Sequence, residues 1–274
     1  MKKILLAVGI LLVVILSFVF NKYDLDISIA LTKYDSYFFE FFDDFGELPI
    51  YFGPIIFGAI YFSLSKKTLY KYLSAGISFL AYLVACVKVI GNLDFSLNLA
   101  RVLLAIGLAG LFTFATIYAF SRIKKETLHK IKDIAFLGLV VSLVSFGCVQ
   151  LLKNVWGRVR FRDLSYDYSE FTSLFTINGL NGNHSFPSGH TNAGTSILLI
   201  ALLVPRFSNK KWLKCLVASL CFVYIATLAV SRIVVSAHYA SDVLFGFLVG
   251  FTTLCVTHSV LRRKGVIDAS NNKC

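Results

Sequence analysis

Long apolar runs alternate with short polar connections over almost the whole chain. A helix needs about 20 residues to cross the hydrocarbon core of a bilayer, and most of these runs approach that length. Runs 49–64 and 188–204 are short for a span. The pattern predicts an all-α, polytopic transmembrane helical bundle of about eight spans, at residues 4–20, 49–64, 72–90, 99–120, 133–152, 188–204, 213–230 and 238–260.

Basic residues gather on every second connection. The N-terminal end and connections 65–71, 121–132, 205–214 and 261–274 together hold 18 of the 27 lysines and arginines. Since cytoplasmic loops of membrane proteins are rich in Lys and Arg, this alternation predicts that both termini are cytoplasmic. The first run follows Lys2 and Lys3 without a small-x-small cleavage pattern, so we expect an uncleaved first span.

Composition agrees with a membrane protein of one domain. Hydrophobic residues make up 57% of the chain and the mean hydropathy is +0.74, which excludes an ordinary soluble domain. The net charge of +12 is explained by the basic connections, and no nucleic-acid-binding motif is present, so no nucleic-acid partner is expected. We expect a single domain at 1–265, a motif-bearing core at about 131–260 and a short cytoplasmic tail at 266–274.

Two of the predicted outer segments carry unusual side chains. Segment 21–48 combines acidic residues with five phenylalanines between Phe38 and Phe45, which predicts a short amphipathic helix in the membrane interface. Either an aromatic belt or a role in lipid access explains it. Segment 153–187 begins with a basic cluster, Lys153, Arg158, Arg160 and Arg162, on the side where positive charge is disfavoured. It therefore indicates an anion-binding site.

Three polar clusters flank the last four runs, and the predicted topology brings all three to the outer face. They are Lys153–Arg160 after the fifth run, Ser185–His190 before the sixth, and Ser231–Asp242 between the seventh and eighth. Ionisable groups are costly near spans and are retained there mostly where they function or pair. The convergence of three such clusters predicts a functional site.

The residue types in these clusters suit phosphoryl transfer. Lys153, Arg160 and Arg232 supply cationic donors for phosphate oxygens. The sequence Pro187-Ser188-Gly189-His190 begins a helix, whose free N–H groups favour an anion.

Two histidines complete the set. His190 and His238 allow one nucleophile and one general acid. If a helix begins near His238, Asp242 lies on the same face and can orient the imidazole. For Arg158 and Arg162, contact with phosphate and contact with lipid headgroups are both open. The exposed-loop residue His184 is a weaker candidate for substrate binding.

With these motifs the chain resembles the type 2 phosphatidic acid phosphatase family, which shares its motifs with vanadium haloperoxidases and bacterial acid phosphatases. The first family motif is Lys, six residues, Arg-Pro; Lys153 and Arg160 fit it, but Phe161 replaces the proline. The second, Pro-Ser-Gly-His, is complete at 187–190. The third, Ser-Arg, five residues, His, three residues, Asp, is complete at 231–242.

The resemblance implies roles for these residues. His238 would be the nucleophile that forms a phosphohistidine, Asp242 would orient it, and His190 would protonate the leaving alkoxide. The phosphate oxygens would be held by Lys153, Arg160, Ser188, Gly189 and Arg232. No metal or other cofactor is expected, because cationic side chains supply the charge that Mg²⁺ supplies elsewhere and the motifs bring no cluster of carboxylates to the site.

The expected function is hydrolysis of a lipid phosphomonoester or diphosphate at the outer face of a bacterial inner membrane. Phosphatidate, phosphatidylglycerophosphate, undecaprenyl diphosphate and lipid A are candidate substrates. Three alternatives stay open: a lipid phosphotransferase, a vanadate-dependent haloperoxidase and a non-catalytic anion-binding membrane protein. The family is expected to share a six-helix core, to which this chain adds a hairpin near 72–120. The sequence does not indicate an oligomeric state.

Overall fold

The computed structural model describes residues 2–34, 36–91 and 99–267. Within these ranges the chain forms α-helices, 3₁₀ turns and loops, without β-strands. The helices are α1 (Lys2–Leu31), α2 (Tyr37–Phe45), α3 (Pro49–Leu64), α4 (Thr68–Gly91), α5 (Leu99–Ser121), α6 (Lys125–Trp156), α7 (Gly189–Thr195), α8 (Leu198–Leu203), α9 (Lys211–Val234) and α10 (Ala240–Arg263).

The all-α prediction is confirmed, and each apolar run lies on one or more helices. Seven helical segments in the described residues are long and apolar enough to cross a membrane, namely α1, the α2–α3 unit, α4, α5, α6, α9 and α10. The short helix predicted between Phe38 and Phe45 is present as α2. The largest boundary error is in α1, which continues to Leu31 instead of ending near residue 20.

The sixth apolar run is divided between α7 and α8, and is not one long helix. Its two ends nevertheless lie at opposite ends of α6. Arg206, just after α8, pairs with Asp133, while Lys153 donates a hydrogen bond to the carbonyl of His184, just before α7. Asp133 and Lys153 are 20 residues apart on α6, a distance of about 30 Å at 1.5 Å per residue. The segment between His184 and Arg206 thus extends over about the same length of the bundle as α6 between Lys153 and Asp133.

The helices pack as two groups. Helices α3, α4 and α5 pack against one another, and α3 also packs against α6. The central group consists of α6, α7, α9 and α10, with α1 against α10 and α2 against α9. Apolar side chains from α6, α8, α9 and α10 form its core, including Leu137, Leu198, Ile225 and Leu254.

Two predicted segments fall partly outside the described residues. The outer turn at 91–98 lies outside them except for Gly91, and so does the tail from residue 268 onward. The first two residues of the predicted tail are described and are packed against the bundle. The N–H groups of Val266 and Ile267 both donate to the carbonyl of Leu261, and Ile267 is buried.

Candidate active site

Backbone and side-chain hydrogen bonds join the three motifs at one end of α6. The N–H of Ser185 donates to the carbonyl of Arg158 at 2.9 Å, which ties the second motif to the first. The N–H of Ser188 donates to the carbonyl of Asp242, also at 2.9 Å, which ties the second to the third. The predicted convergence of the three clusters is therefore present in the structure.

Helix α6 ends where the first motif requires a turn. Gly157 caps the helix with a left-handed φ of +52°, a conformation that glycine adopts without steric cost. A Cβ on Gly157 would approach the carbonyl oxygen of Gly179 to 2.1 Å. This cap leaves Lys153 in the last helical turn, beside Gly189, and releases the chain toward Arg158 and Arg160.

The spacing of the third motif reflects a reversal of the chain after α9. The N–H groups of Ala237 and His238 both donate to the carbonyl of Arg232, at 3.1 and 3.0 Å. Ser236, inside this turn, has a positive φ of 61°. The reversal brings the backbone of His238 next to that of Arg232. The five residues between them form this turn, which explains the spacing of the motif.

Asp242 meets His238 by a route other than the predicted one. Helix α10 begins at Ala240, so His238 precedes it and the two residues do not share a helical face. Instead the Asp242 carboxylate turns back to the helix start, where Oδ2 accepts from the N–H of Tyr239 at 3.0 Å. Its Oδ2 lies 3.6 Å from Nδ1 of His238. The juxtaposition was predicted correctly, but its geometry was not.

His238 is buried and held in a neutral state. Burial lowers the pKa of its imidazole well below the usual range. Its Nδ1 faces Asp242 without a hydrogen-bond partner at normal distance among the described residues. A neutral imidazole has a free lone pair, which a nitrogen nucleophile requires.

Arg158 pairs with two buried carboxylates, which excludes both of the contacts left open for it, with phosphate and with lipid headgroups. Its Nη1 lies 2.8 Å from Oδ1 of Asp242 and its Nη2 lies 3.0 Å from Oδ2 of Asp24, on α1. Its Nε donates to the carbonyl of Thr172, and its guanidinium lies 4.1 Å from the ring centre of Tyr239. The side chain is completely buried, so it faces neither a lipid headgroup nor an open phosphate position.

Two acidic residues from outside the motifs, Asp43 and Glu47, also reach the site. Asp43, on α2, forms an ion pair with Nη1 of Arg232. Nε2 of His190 donates to the carbonyl of Asp43 at 3.0 Å and lies 3.7 Å from Oε2 of Glu47, which also pairs with Lys88. The α2 region reaches the site because Phe42 packs on Tyr224, whose hydroxyl donates to the carbonyl of Gly46.

The remaining predicted site residues differ in their exposure and in whether their polar groups already have partners within the protein. The Ser188 hydroxyl caps α7 by accepting from the N–H of Thr191, so it is already engaged. Gly189 follows it, and the start of α7 is pressed against α10, where a Cβ on Gly246 would come within 2.4 Å of the Ser188 carbonyl oxygen. Arg162 is half-exposed beside Asp163, and His184 is an exposed loop residue.

Two guanidinium nitrogen atoms of the motifs, Nε of Arg160 and Nε of Arg232, are buried without a hydrogen-bond partner in the described part of the chain. Buried polar groups are normally satisfied, so unsatisfied donors in a cation-rich setting indicate a place for an anion. Lys153 interacts electrostatically with Arg160, which adds a third cation.

Comparison with known proteins identifies a family for the part of the chain that carries the motifs. The family model described as the PAP2 superfamily matches residues 134–265. That range belongs to the PAP2 superfamily. We call this range, residues 134–265, the PAP2 domain; it contains all three motifs. Helices α1 to α5, which carry Asp24, Asp43, Glu47 and Lys88, precede it.

Two curated relatives match about half of the chain. The chain is 33% identical over 135 residues to proteins named lipid A 1-phosphatase from Rhizobium johnstonii and Rhizobium etli. The aligned part is 49% of this chain and 47% and 50% of the two relatives, so the chain spans about half the length of the curated relatives it matches. No solved structure matches significantly.

Sequence reasoning missed the contacts of three residues at the site. Asp24 and Asp43 lie before the PAP2 domain. Ser185, the first residue of the second cluster, donates a hydrogen bond to Oδ2 of Asp242 at 2.5 Å. A signal for Asp24 exists in the sequence, because an acidic residue directly after a long apolar run needs a cationic partner. Nothing local to Asp43 identified Arg232 as its partner.

Proposed function

We propose that the protein is a membrane phosphatase that hydrolyses a lipid phosphomonoester or diphosphate through a phosphohistidine intermediate. The observation that carries this proposal is the buried, neutral His238 beside Asp242, surrounded by unpaired nitrogen atoms of Arg160 and Arg232. The apolar helices and the PAP2 domain support a lipid substrate in a bilayer. No nucleic-acid role is proposed.

The proposed reaction has two steps, both centred on His238. Its Nε2 attacks phosphorus while Nδ1 faces Asp242; the new N–P bond forms as the P–O bond to the lipid breaks. His190 gives its Nε2 proton to the departing alkoxide. In the second step water attacks phosphorus, His190 takes a proton from the water, and the N–P bond breaks to release phosphate. Lys153, Arg160 and Arg232 stabilise the charge on the phosphate oxygens, with Ser188 and Gly189 at the helix start.

The outer face of a bacterial inner membrane is the proposed location of this site. Support comes from the alternation of basic connections, since the Arg206–Asp133 pair lies at one end of α6 and the motifs at the other. We further propose that 1–265 form one domain, because α1 and α2 contact α10 and α9 of the PAP2 domain. Labelling of Ser165→Cys in intact cells by a membrane-impermeant maleimide checks the location.

Among the candidate substrates, a lipid A type phosphate has the support of the two relatives' names. The test is phosphate release by the purified full-length protein from phosphatidate, phosphatidylglycerophosphate, undecaprenyl diphosphate and lipid A, with and without an added alcohol. We expect release that needs no alcohol. Transfer to the alcohol in place of release would identify a phosphotransferase, and no turnover of any lipid would contradict the proposal.

Asp43 competes with a substrate phosphate for Arg232, because its carboxylate already occupies Nη1 of the guanidinium. We expect Asp43→Asn to lower the inhibition constant for inorganic phosphate by roughly fivefold, the size of a partly exposed ion pair of about 1 kcal/mol. The measurement is competitive inhibition of phosphate release.

The matched control for this change is Glu40→Gln, an exposed acidic residue on the same helix. It removes one negative charge from α2 without touching Arg232, so the inhibition constant should stay within twofold of the wild-type value. Equal effects of the two substitutions would show that Asp43 acts only through the general charge of α2.

A further inference from the structure

Asp24 is a buried carboxylate near the C-terminal end of α1, where the neighbouring charged residues Lys22 and Asp26 are exposed. It lies on α1, 110 positions before the start of the PAP2 domain, and its side chain is fully buried. A carboxylate at such a position is costly unless it is paired. The polar contacts of Asp24 run across the bundle, and they explain its burial.

These contacts lead to the residues around the proposed nucleophile. Oδ1 of Asp24 accepts from the N–H of Ser241 at 2.9 Å, and Oδ2 accepts from the Ser241 hydroxyl and from Nη2 of Arg158 at 3.0 Å. Nη1 of Arg158 donates to Oδ1 of Asp242 at 2.8 Å. Asp242 in turn faces His238. Asp24 is thus joined to His238 through Arg158, Ser241 and Asp242.

The charges in this chain of contacts do not balance. Arg158 and Asp242 alone form a neutral pair, which would be sufficient for their own burial. Asp24 adds a second carboxylate, whose oxygens accept from Nη2 of Arg158 and from the N–H and hydroxyl of Ser241. These three donors favour its ionised form. With Asp24 ionised, the completely buried group of Asp24, Arg158 and Asp242 has one net negative charge. It lies against an imidazole that becomes positive when its nitrogen bonds to phosphorus.

We propose that Asp24 is a positioning residue that, through Arg158 and Ser241, fixes Asp242 and supplies the negative charge that stabilises His238 as it becomes cationic. This inference rests on the proposed function. The stabilisation arises as charge develops in the reaction, so it affects kcat and leaves substrate binding unchanged. Asp24 touches no reacting atom.

The test uses the full-length protein in detergent with Asp24→Asn, which keeps the size of the side chain and removes its charge. We expect kcat for phosphate release to fall about tenfold, with KM unchanged within about twofold. The control is Asp26→Asn, the same chemical change two residues along α1 at an exposed position, which should leave kcat unchanged.

A double-mutant cycle with Asp242→Asn separates a positioning role from a structural one. If Asp24 acts through Asp242, adding Asp24→Asn to Asp242→Asn should change the residual rate less than about twofold. An undiminished tenfold loss in that background would overturn the inference, as would a wild-type kcat for Asp24→Asn or a loss equal to the unfolded fraction. Absence of turnover by the wild-type protein is the separate result that contradicts the proposed function.

Ser241→Ala provides a second variant in case Asp24→Asn does not fold. It keeps all three charges and removes only the hydroxyl that donates to Asp24 and accepts from Nη1 of Arg158. We expect kcat to fall about threefold at unchanged KM, because the charges that stabilise the transition state remain and only the two hydrogen bonds of this hydroxyl are lost. A wild-type kcat in a folded Ser241→Ala protein would also overturn the inference.

Discussion

Replacing His238 by alanine should reduce phosphate release by at least about a thousandfold, because no N–P bond can form without the imidazole. The cationic groups of the site remain in this variant, so the affinity for inorganic phosphate should change little. Phosphate release and phosphate inhibition, measured on the same purified protein, separate loss of the nucleophile from loss of the binding site. Size-exclusion chromatography in detergent verifies the fold.

The control for His238→Ala is His184→Ala, at an exposed histidine in the loop next to the second motif. It should retain wild-type turnover. A phosphoenzyme that is labile in acid and stable in base should be trapped in the wild-type protein and be absent from His238→Ala. Undiminished function of His238→Ala would favour the non-catalytic anion-binding alternative, which needs charge at the site and no nucleophile.

The convergence of the three motifs could be predicted because two independent patterns specify it. Apolar runs give the number of crossings, and the basic connections give their direction, so the sequence alone assigns Lys153, His190 and His238 to one face. The prediction holds even though the sixth run is split, since α7 and α8 together still travel the length of α6.

The extent of α1 could not be predicted for a physical reason. The polar residues Asn21, Lys22 and Asp24 look like the end of a span, because a charged side chain there is unfavourable without a partner. The partner of Asp24 is Arg158, 134 positions away in the sequence. Local patterning contains no information about such a pair, so it predicts an end of the helix about ten residues too early.

The sequence did not predict that the acidic residues of the α2 region reach the site, again because this depends on a contact between residues far apart in the chain. The phenylalanine pattern identifies α2 as a helix, but its docking on α9 depends on the contact of Phe42 with Tyr224. That tertiary contact is what carries Asp43 to Arg232. The family motifs describe the phosphate-binding half of the site, whereas the elements that cover it come from helices before the PAP2 domain. Substrate selectivity is therefore expected to depend on α1 to α4 more than on the motifs.

Arg158→Met should lower the free energy of unfolding by about 3–5 kcal/mol, because it leaves two buried carboxylates without their shared cation. Asp24 and Asp242 are both completely buried and both contact this one guanidinium. Thermal unfolding of the purified protein in detergent measures the change. Arg162→Met, four residues along and half-exposed, is the matched control and should change the unfolding free energy by less than about 0.5 kcal/mol.

A second substitution identifies the origin of this loss. In Arg158→Met, the added change Asp24→Asn removes one of the two unpaired charges, so the double variant should be more stable than the single one. A double variant that is equally or less stable would mean that Arg158 stabilises the fold through its packing on Tyr239 and not through the carboxylates. Phosphate release should remain low in both, since Asp242 has lost the guanidinium that holds its Oδ1. Recovery of stability without recovery of turnover would assign Arg158 two separable tasks, neutralising the buried acids and fixing the residue that orients His238.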